Sequence, residues 1–155
     1  MSKPHRIRPI EPAHIAALIE LGRETNLSPW AAHDYLSELK DKNSIMLRLE
    51  TDENRTIGFI VGRLITCADA VAVDAEIYNI AVSPEHQQEG NGQMLFDEFL
   101  RHCRERDVRR IWLEVRVSNE QAIAFYVRNS FAVQQLRKDL YRAPAEDGFL
   151  MSRTL

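Results

Sequence analysis

Cysteine is scarce in this chain: Cys67 and Cys103 are the two among 155 residues, far apart and with no second cysteine at metal-ligand spacing. That excludes a disulfide framework and a cysteine zinc site as organising features, and both thiols are expected to be buried and reduced. The five histidines, His5, His14, His33, His86 and His102, include no i, i+4 pair and no Cys/His tract, so their spacing predicts no metal. No apolar run approaches the roughly 18 residues of a membrane span, and the opening "MSKPHRIRPIEP" holds no hydrophobic segment of the signal-peptide kind. A cytosolic protein that meets no membrane is expected. Positive charge is not in excess either: the formal net charge is -3, whereas nonspecific binding to nucleic acid needs clustered cations to displace counterions. No nucleic-acid partner is expected.

What is present is enough apolar residue, 45% of the chain, to bury one core, so residues 1–155 are read as a single domain. No internal repeat, low-complexity tract or linker interrupts it. Ile15, Leu18, Ile19 and Gly22 lie on one helical stripe opened by Pro12. A second helix is predicted from a Ser28 cap and Pro29 to about Lys40. Ile45–Leu49 and Ile57–Thr66 flank the turn "TDENR" as a hairpin. "TCADA" then punctuates the chain before a strand over Ala75–Val82. A helix over Gly92–Glu105 carries Leu95, Phe96, Phe99, Leu100 and Cys103 on one face. In "RRIWLEVRV" Ile111, Leu113, Val115 and Val117 point one way and Trp112, Glu114 and Arg116 the other. A short helix over Asn119–Arg128 and strands over Phe131–Tyr141 and Phe149–Thr154 close the chain, with "APAEDG" as the loop between them. The order β-α-α-β-β-β-α-β-α-β-β describes an α/β sheet flanked by helices.

The stretch "VSPEHQQEGNGQMLFDEFL" over residues 82–100 runs a strand into a glycine-punctuated turn and straight on into a helix. Free backbone N–H groups at such a helix start face the loop with the positive end of the dipole behind them, which suits an anion. Gly90 and Gly92 remove two side chains that would block a phosphate from those groups. The alternative is a tight turn and nothing more. No third glycine completes a dinucleotide fingerprint and no Gly-Lys-Ser/Thr completes a P-loop.

Gln87-Gln88-Glu89-Gly90-Asn91-Gly92 after "IAVSPEH" resembles the acetyl-CoA pyrophosphate loop of the GNAT family of N-acetyltransferases. "EIYNIAVSPEHQQEGNGQMLFDEFL", "WLEVRVSNEQAIAFY" and "RKDLY...EDGFLMSRTL" resemble successive blocks of its RimI-like branch, enzymes that acetylate the N-terminal α-amine of a ribosomal protein. The likeness covers residues 75–154, and Leu27–Trp30 is similar to a short early block. The resemblance implies the GNAT acyl-CoA N-acyltransferase fold, a mixed sheet of about six to seven strands with about four helices. It also implies acetyl-CoA as cosubstrate, an amine acceptor such as a protein N-terminus, and no metal.

Residue by residue, the resemblance assigns Ile80, Ala81 and Val82 to backbone contacts with pantetheine and acetyl, and Gln87, Gln88, Glu89, Gly90, Asn91 and Gly92 to the pyrophosphate. Asn119 is implied as a cofactor contact, its local alternative being a helix N-cap. Glu114, opposite the apolar set of its strand, is expected as general base; a salt-bridged glutamate held by Arg116 or another arginine is the plainer reading. Tyr126 is implied as the general acid toward sulfur and as a cofactor contact, and Trp30 and Tyr141 as neighbours of the acceptor. No serine or cysteine has the setting of an activated nucleophile, so direct attack in a ternary complex is expected. Two departures stand out. Glu89 brings negative charge to the loop, and "NSF" at Asn129-Ser130-Phe131 replaces a family "LGF", so that Ser130 stands where a glycine often takes the left-handed backbone, a conformation Asn129 could take instead. A lysine or small-amine acceptor, and a catalytically weak acyl-CoA-binding module, remain alternatives.

Overall fold

A computed structural model describes residues 5–27, 30–66 and 72–155. Ser28, Pro29, Cys67 and most of "TCADA" lie outside the described residues. The chain runs β1 (Arg6–Pro9), a 3-10 turn (Pro12–His14), α1 (Ile15–Glu24), α2 (Ala32–Leu39), β2 (Ser44–Glu50), β3 (Thr56–Thr66) and β4 (Val73–Val82). A second 3-10 turn (Pro84–His86) leads into α3 (Asn91–Glu105), β5 (Val108–Arg116), α4 (Glu120–Arg128), β6 (Ala132–Arg142) and β7 (Ala145–Thr154). The strands form one mixed seven-stranded sheet in the order β1-β2-β3-β4-β5-β7-β6. Among the described residues only β4 and β5 pair in parallel, joined through α3; the other neighbours are antiparallel.

Helices cover both faces of the inner strands, which is why β2 and β3 are buried almost residue by residue. On one face Leu95, Phe96, Phe99 and Cys103 of α3 pack on Ile60, Ile111, Leu113 and Met151. On the other, Ile15, Leu18 and Leu21 of α1 and Tyr35 of α2 pack on Phe59, Val61 and Ala81. Leu21 rather than Gly22 completes the buried stripe of α1. Gly62 is required for space, since a Cβ there would lie 2.5 Å from the Phe99 ring and 2.6 Å from the Glu76 carbonyl oxygen. The buried charges are paired, Arg48 with Glu50 and Glu38 with Arg63, as burial of an ion demands.

Three boundaries differ from expectation. α2 begins at Ala32, where the Asp34 carboxylate reaches back to accept the Ala31 N–H at 2.7 Å, the return half of a capping box. "APAEDG" is mostly strand: Arg142 pairs with Ala145 and Tyr141 with Glu146, leaving Ala143 and Pro144 as the turn, because β6 offers a partner for this stretch and β5 joins on the other edge at Gly148. Ser130, not Asn129, is left-handed, with φ 69° against -95°.

Candidate active site

The site begins where two strands part. β4 and β5 keep parallel register only as far as Ile77↔Leu113. Beyond that, Asn79–Val82 pair with β3 alone and Glu114–Arg116 with β7 alone. Tyr78 sits in a bulge, because Val61 pairs with Asn79 and Gly62 with Ile77, and a bulge re-aims the side chains beside it. Ile80, Ala81 and Val82 thus present one backbone edge without a strand partner, the kind of edge an extended chain can pair with. A cleft of about 630 Å³ opens in the gap.

One wall is the loop into α3. Gly90 is the helix N-cap with φ 82°, and a Cβ there would meet nothing within 4 Å. Its glycine therefore serves the left-handed backbone rather than space. Gly92 lies on the cleft floor, where a Cβ would rest 3.7 Å from the Phe125 ring. No side chain caps α3 among the described residues, so its first amides remain available to an anion. Two predicted side chains brace the loop: Gln87 Nε2 donates to the Val82 carbonyl at 2.9 Å, and buried Asn91 donates to the His86 carbonyl at 2.9 Å. Gln88 lines the cleft with φ 64°. Glu89 is not among the lining residues; its carboxylate turns toward His86 Nδ1, 3.9 Å away. The loop's negative charge is held off the cleft.

α4 supplies the adjoining side. Asn119 caps it, its Oδ1 accepting the Ala122 N–H at 3.2 Å, and still lines the cleft. Tyr126 is buried against Phe125 and Phe131, ring centroids 5.7 Å from each, and reaches the cleft. Burial, and secondarily Tyr141, push its phenol well above the ordinary value, so it stays protonated through the neutral range.

The opposite wall is made of side chains. Glu114 lines the cleft and accepts from Arg137 Nη1 at 3.0 Å, so the plainer reading, pairing with an arginine, also holds, through Arg137 rather than Arg116. Arg116 instead donates to the carbonyls of Pro144 and Ala143, pairs with Glu146, and stacks over the Tyr141 ring at 4.3 Å. That fixes the β6–β7 hairpin and Tyr141 at the cleft. Trp30 leans on Tyr35 and Tyr78, 5.1 and 5.7 Å away, and completes the far side.

Sequence reasoning missed Glu76, Tyr78 and Asn79, all in the lining. Burial first, and then the Glu114 charge, raise the Glu76 carboxyl against the opposing pull of Arg137 and Arg63. Alternation was the available signal: in "AEIY" Ala75 and Ile77 are buried, which turns Glu76 and Tyr78 to the other face. Asn79 Nδ2 is buried with no hydrogen-bond partner among the described residues, a donor aimed at something the chain does not supply.

Residues 15–131 match the acetyltransferase (GNAT) family, and the chain belongs to it: the protein is an acetyl-CoA-dependent acyltransferase. A Bacillus subtilis protein provisionally named a ribosomal protein bS18-alanine N-acetyltransferase is 32% identical over 88% of this chain and 86% of its own length. The Escherichia coli ribosomal protein bS18-alanine N-acetyltransferase is 29% identical over 92% of this chain and 89% of its own. The crystal structure of the ribosomal-protein-S18-alanine N-acetyltransferase from Escherichia coli superposes with a TM-score of 0.83 at 25% identity, covering 97% of this chain and 94% of that one. The cleft fits acetyl-CoA on its own terms: an unpaired strand edge for an extended amide-bearing arm, uncapped helix amides for a diphosphate, and the orphaned Asn79 amide between the two walls. Among the described residues no helix is long and apolar enough to cross a membrane.

Proposed function

We propose that this single-domain enzyme, spanning residues 1–155, transfers acetyl to the N-terminal α-amine of a protein in the cytoplasm, with a ribosomal protein as acceptor. The observation that carries the reading is the two-walled cleft, backbone donors on one side and paired carboxylates with aromatics on the other. Bound acetyl-CoA supplies the acyl group as a reactive thioester. The uncapped amides of Asn91 to Gln93 hold the diphosphate, and the free edge at Ile80–Val82 pairs with the pantetheine arm and polarises the acyl oxygen. The acceptor ammonium enters between Trp30, Tyr78 and Tyr141, drawn by Glu76 and Glu114. Glu114 takes one proton from the ammonium, directly or through one water, so that the free amine attacks; the second N–H proton passes to solvent as the N–C bond forms and the C–S bond breaks. Tyr126 gives its proton to the departing thiolate and regains one from solvent. An α-amine, with a pKa of about 7.7 to 8.0 against about 10.4 for lysine, asks less of such a base. Direct attack is favoured over an acetyl-enzyme because Cys103 is buried in the core with its thiol pushed up to about 12.

The test is CoA release with free N-terminal peptides of ribosomal proteins, the same peptides with blocked N-termini, lysine peptides and polyamines. Turnover confined to the free N-termini is expected. Equal turnover of blocked lysine peptides or polyamines would replace the acceptor, and saturable acetyl-CoA binding without turnover on any amine would leave a binding module.

A further inference from the structure

Histidines scattered in the sequence meet in the fold. His5, which leads into β1, lies edge to face with His86, ring centroids 5.8 Å apart. Glu89 brings its carboxylate 3.9 Å from His86 Nδ1, and one ligating atom from each of the three residues lies within 4.8 Å of the others. His5 Nδ1 is closed off from solvent and has no hydrogen-bond partner among the described residues. A buried imidazole nitrogen in that position lacks an acceptor if it carries the proton, and a donor or a metal if it carries the lone pair.

We propose that His5, His86 and Glu89 form a binding site for a zinc-type divalent cation that clips the start of β1 to the diphosphate loop. Two imidazoles and one carboxylate suit Zn²⁺, with water in a fourth position; Mg²⁺ and Ca²⁺ prefer all-oxygen shells. The surrounding contacts already orient the set. Asn91 Nδ2 donates to the His86 carbonyl at 2.9 Å and lies 3.4 Å from Glu89 Oε2, fixing both residues relative to the helix start. The cation neutralises the acidic side chain of the 87–92 loop and gives the turned-away Glu89 a function. Spacing rules miss such a site because His5 lies about eighty residues from His86 and Glu89 in the chain.

The test uses the full chain stripped with a chelator and titrated with Zn²⁺ in the absence of acetyl-CoA, so that its outcome is separate from the acetyltransferase reading. One ion per chain is expected by calorimetry and metal analysis, with Tm raised by roughly 5 to 10 °C at a hundredfold excess over Kd and no response to Mg²⁺. His5→Ala abolishes uptake while leaving the metal-free Tm in place; His33→Ala, at an exposed histidine, keeps full uptake. Glu89→Gln weakens binding about tenfold or more. Co²⁺ absorption bands on the unmodified chain give a reading independent of any variant. Absence of saturable uptake, or unchanged uptake in His5→Ala, overturns the site.

Discussion

The two walls of the cleft are built from the chain in different ways. The diphosphate wall is nearly one continuous run, from the free edge of β4 at Ile80 through the left-handed Gly90 to the first amides of α3. The acceptor wall gathers Trp30 from ahead of α2, Glu76 and Tyr78 from β4, Glu114 from β5, and Arg137 and Tyr141 from β6. In the proposed reading backbone amides do the binding on the first wall, and any sequence that keeps the local conformation keeps them. Side chains do it on the second, and each can change by substitution without disturbing the sheet. In that reading the cosubstrate is met by backbone and the acceptor by side chains.

Substitutions on the two walls should have separable effects. The largest effect is expected on the acceptor wall: Glu114→Gln should lower kcat by about 10²- to 10⁴-fold with the acetyl-CoA Kd unchanged. Glu76→Gln should cost less; the reverse ranking in steady-state kinetics would make Glu76 the base. Next comes Gly92→Leu, which should raise the acetyl-CoA Kd by about 10- to 100-fold, the value of one hydrogen bond to a charged group, with peptide KM little altered. Calorimetry showing full affinity would mean that the loop is only a turn. Trp30→Ala should raise the peptide KM several-fold and leave acetyl-CoA binding intact; an equal loss of both would merge the walls into one unit.

Two smaller effects appear in stability. Because the folded-state carboxyl of Glu76 lies above its ordinary value, the folded state binds the proton more tightly, and stability from this group falls as pH rises from the ordinary glutamate value through the raised one. Glu76→Gln should therefore raise Tm at neutral pH, and the gain should vanish in acid, as thermal melts across pH will show. Ser130→Gly relieves a left-handed serine and should add about 1 kcal/mol, or about 2–4 °C in Tm.

Much of the fold was legible because its signals are local. Alternation in β5 and the apolar stripe of α3 each announce an element over nine to fifteen residues, and all seven strands and four helices lie in the predicted order. Boundaries failed where a distant partner decided them. Ala145–Gly148 look like loop until β6 is seen to pair with Ala145 and Glu146 and both β5 and β6 with Gly148, and Ser130 rather than Asn129 bends where α4 turns into β6. The candidate site divides the same way. Gly90 and Gly92 ahead of a helix marked an anion-ready turn and the family resemblance extended it back to Gln87, but nothing local says that Glu89 turns to His86 and out of the cleft. Glu76 was hidden because a charged residue on a strand reads as solvated until the bulge at Tyr78 and the parting of β5 put it beside Glu114.

The succession of strands and helices and the anion-ready start of α3 follow from periodicity and backbone preference within a few residues. Which carboxylates share the cleft, which arginine holds Glu114, and the meeting of His5 with His86 are settled in three dimensions. Those depend on register between strands far apart in the chain, where a shift of one residue turns every side chain to the opposite face.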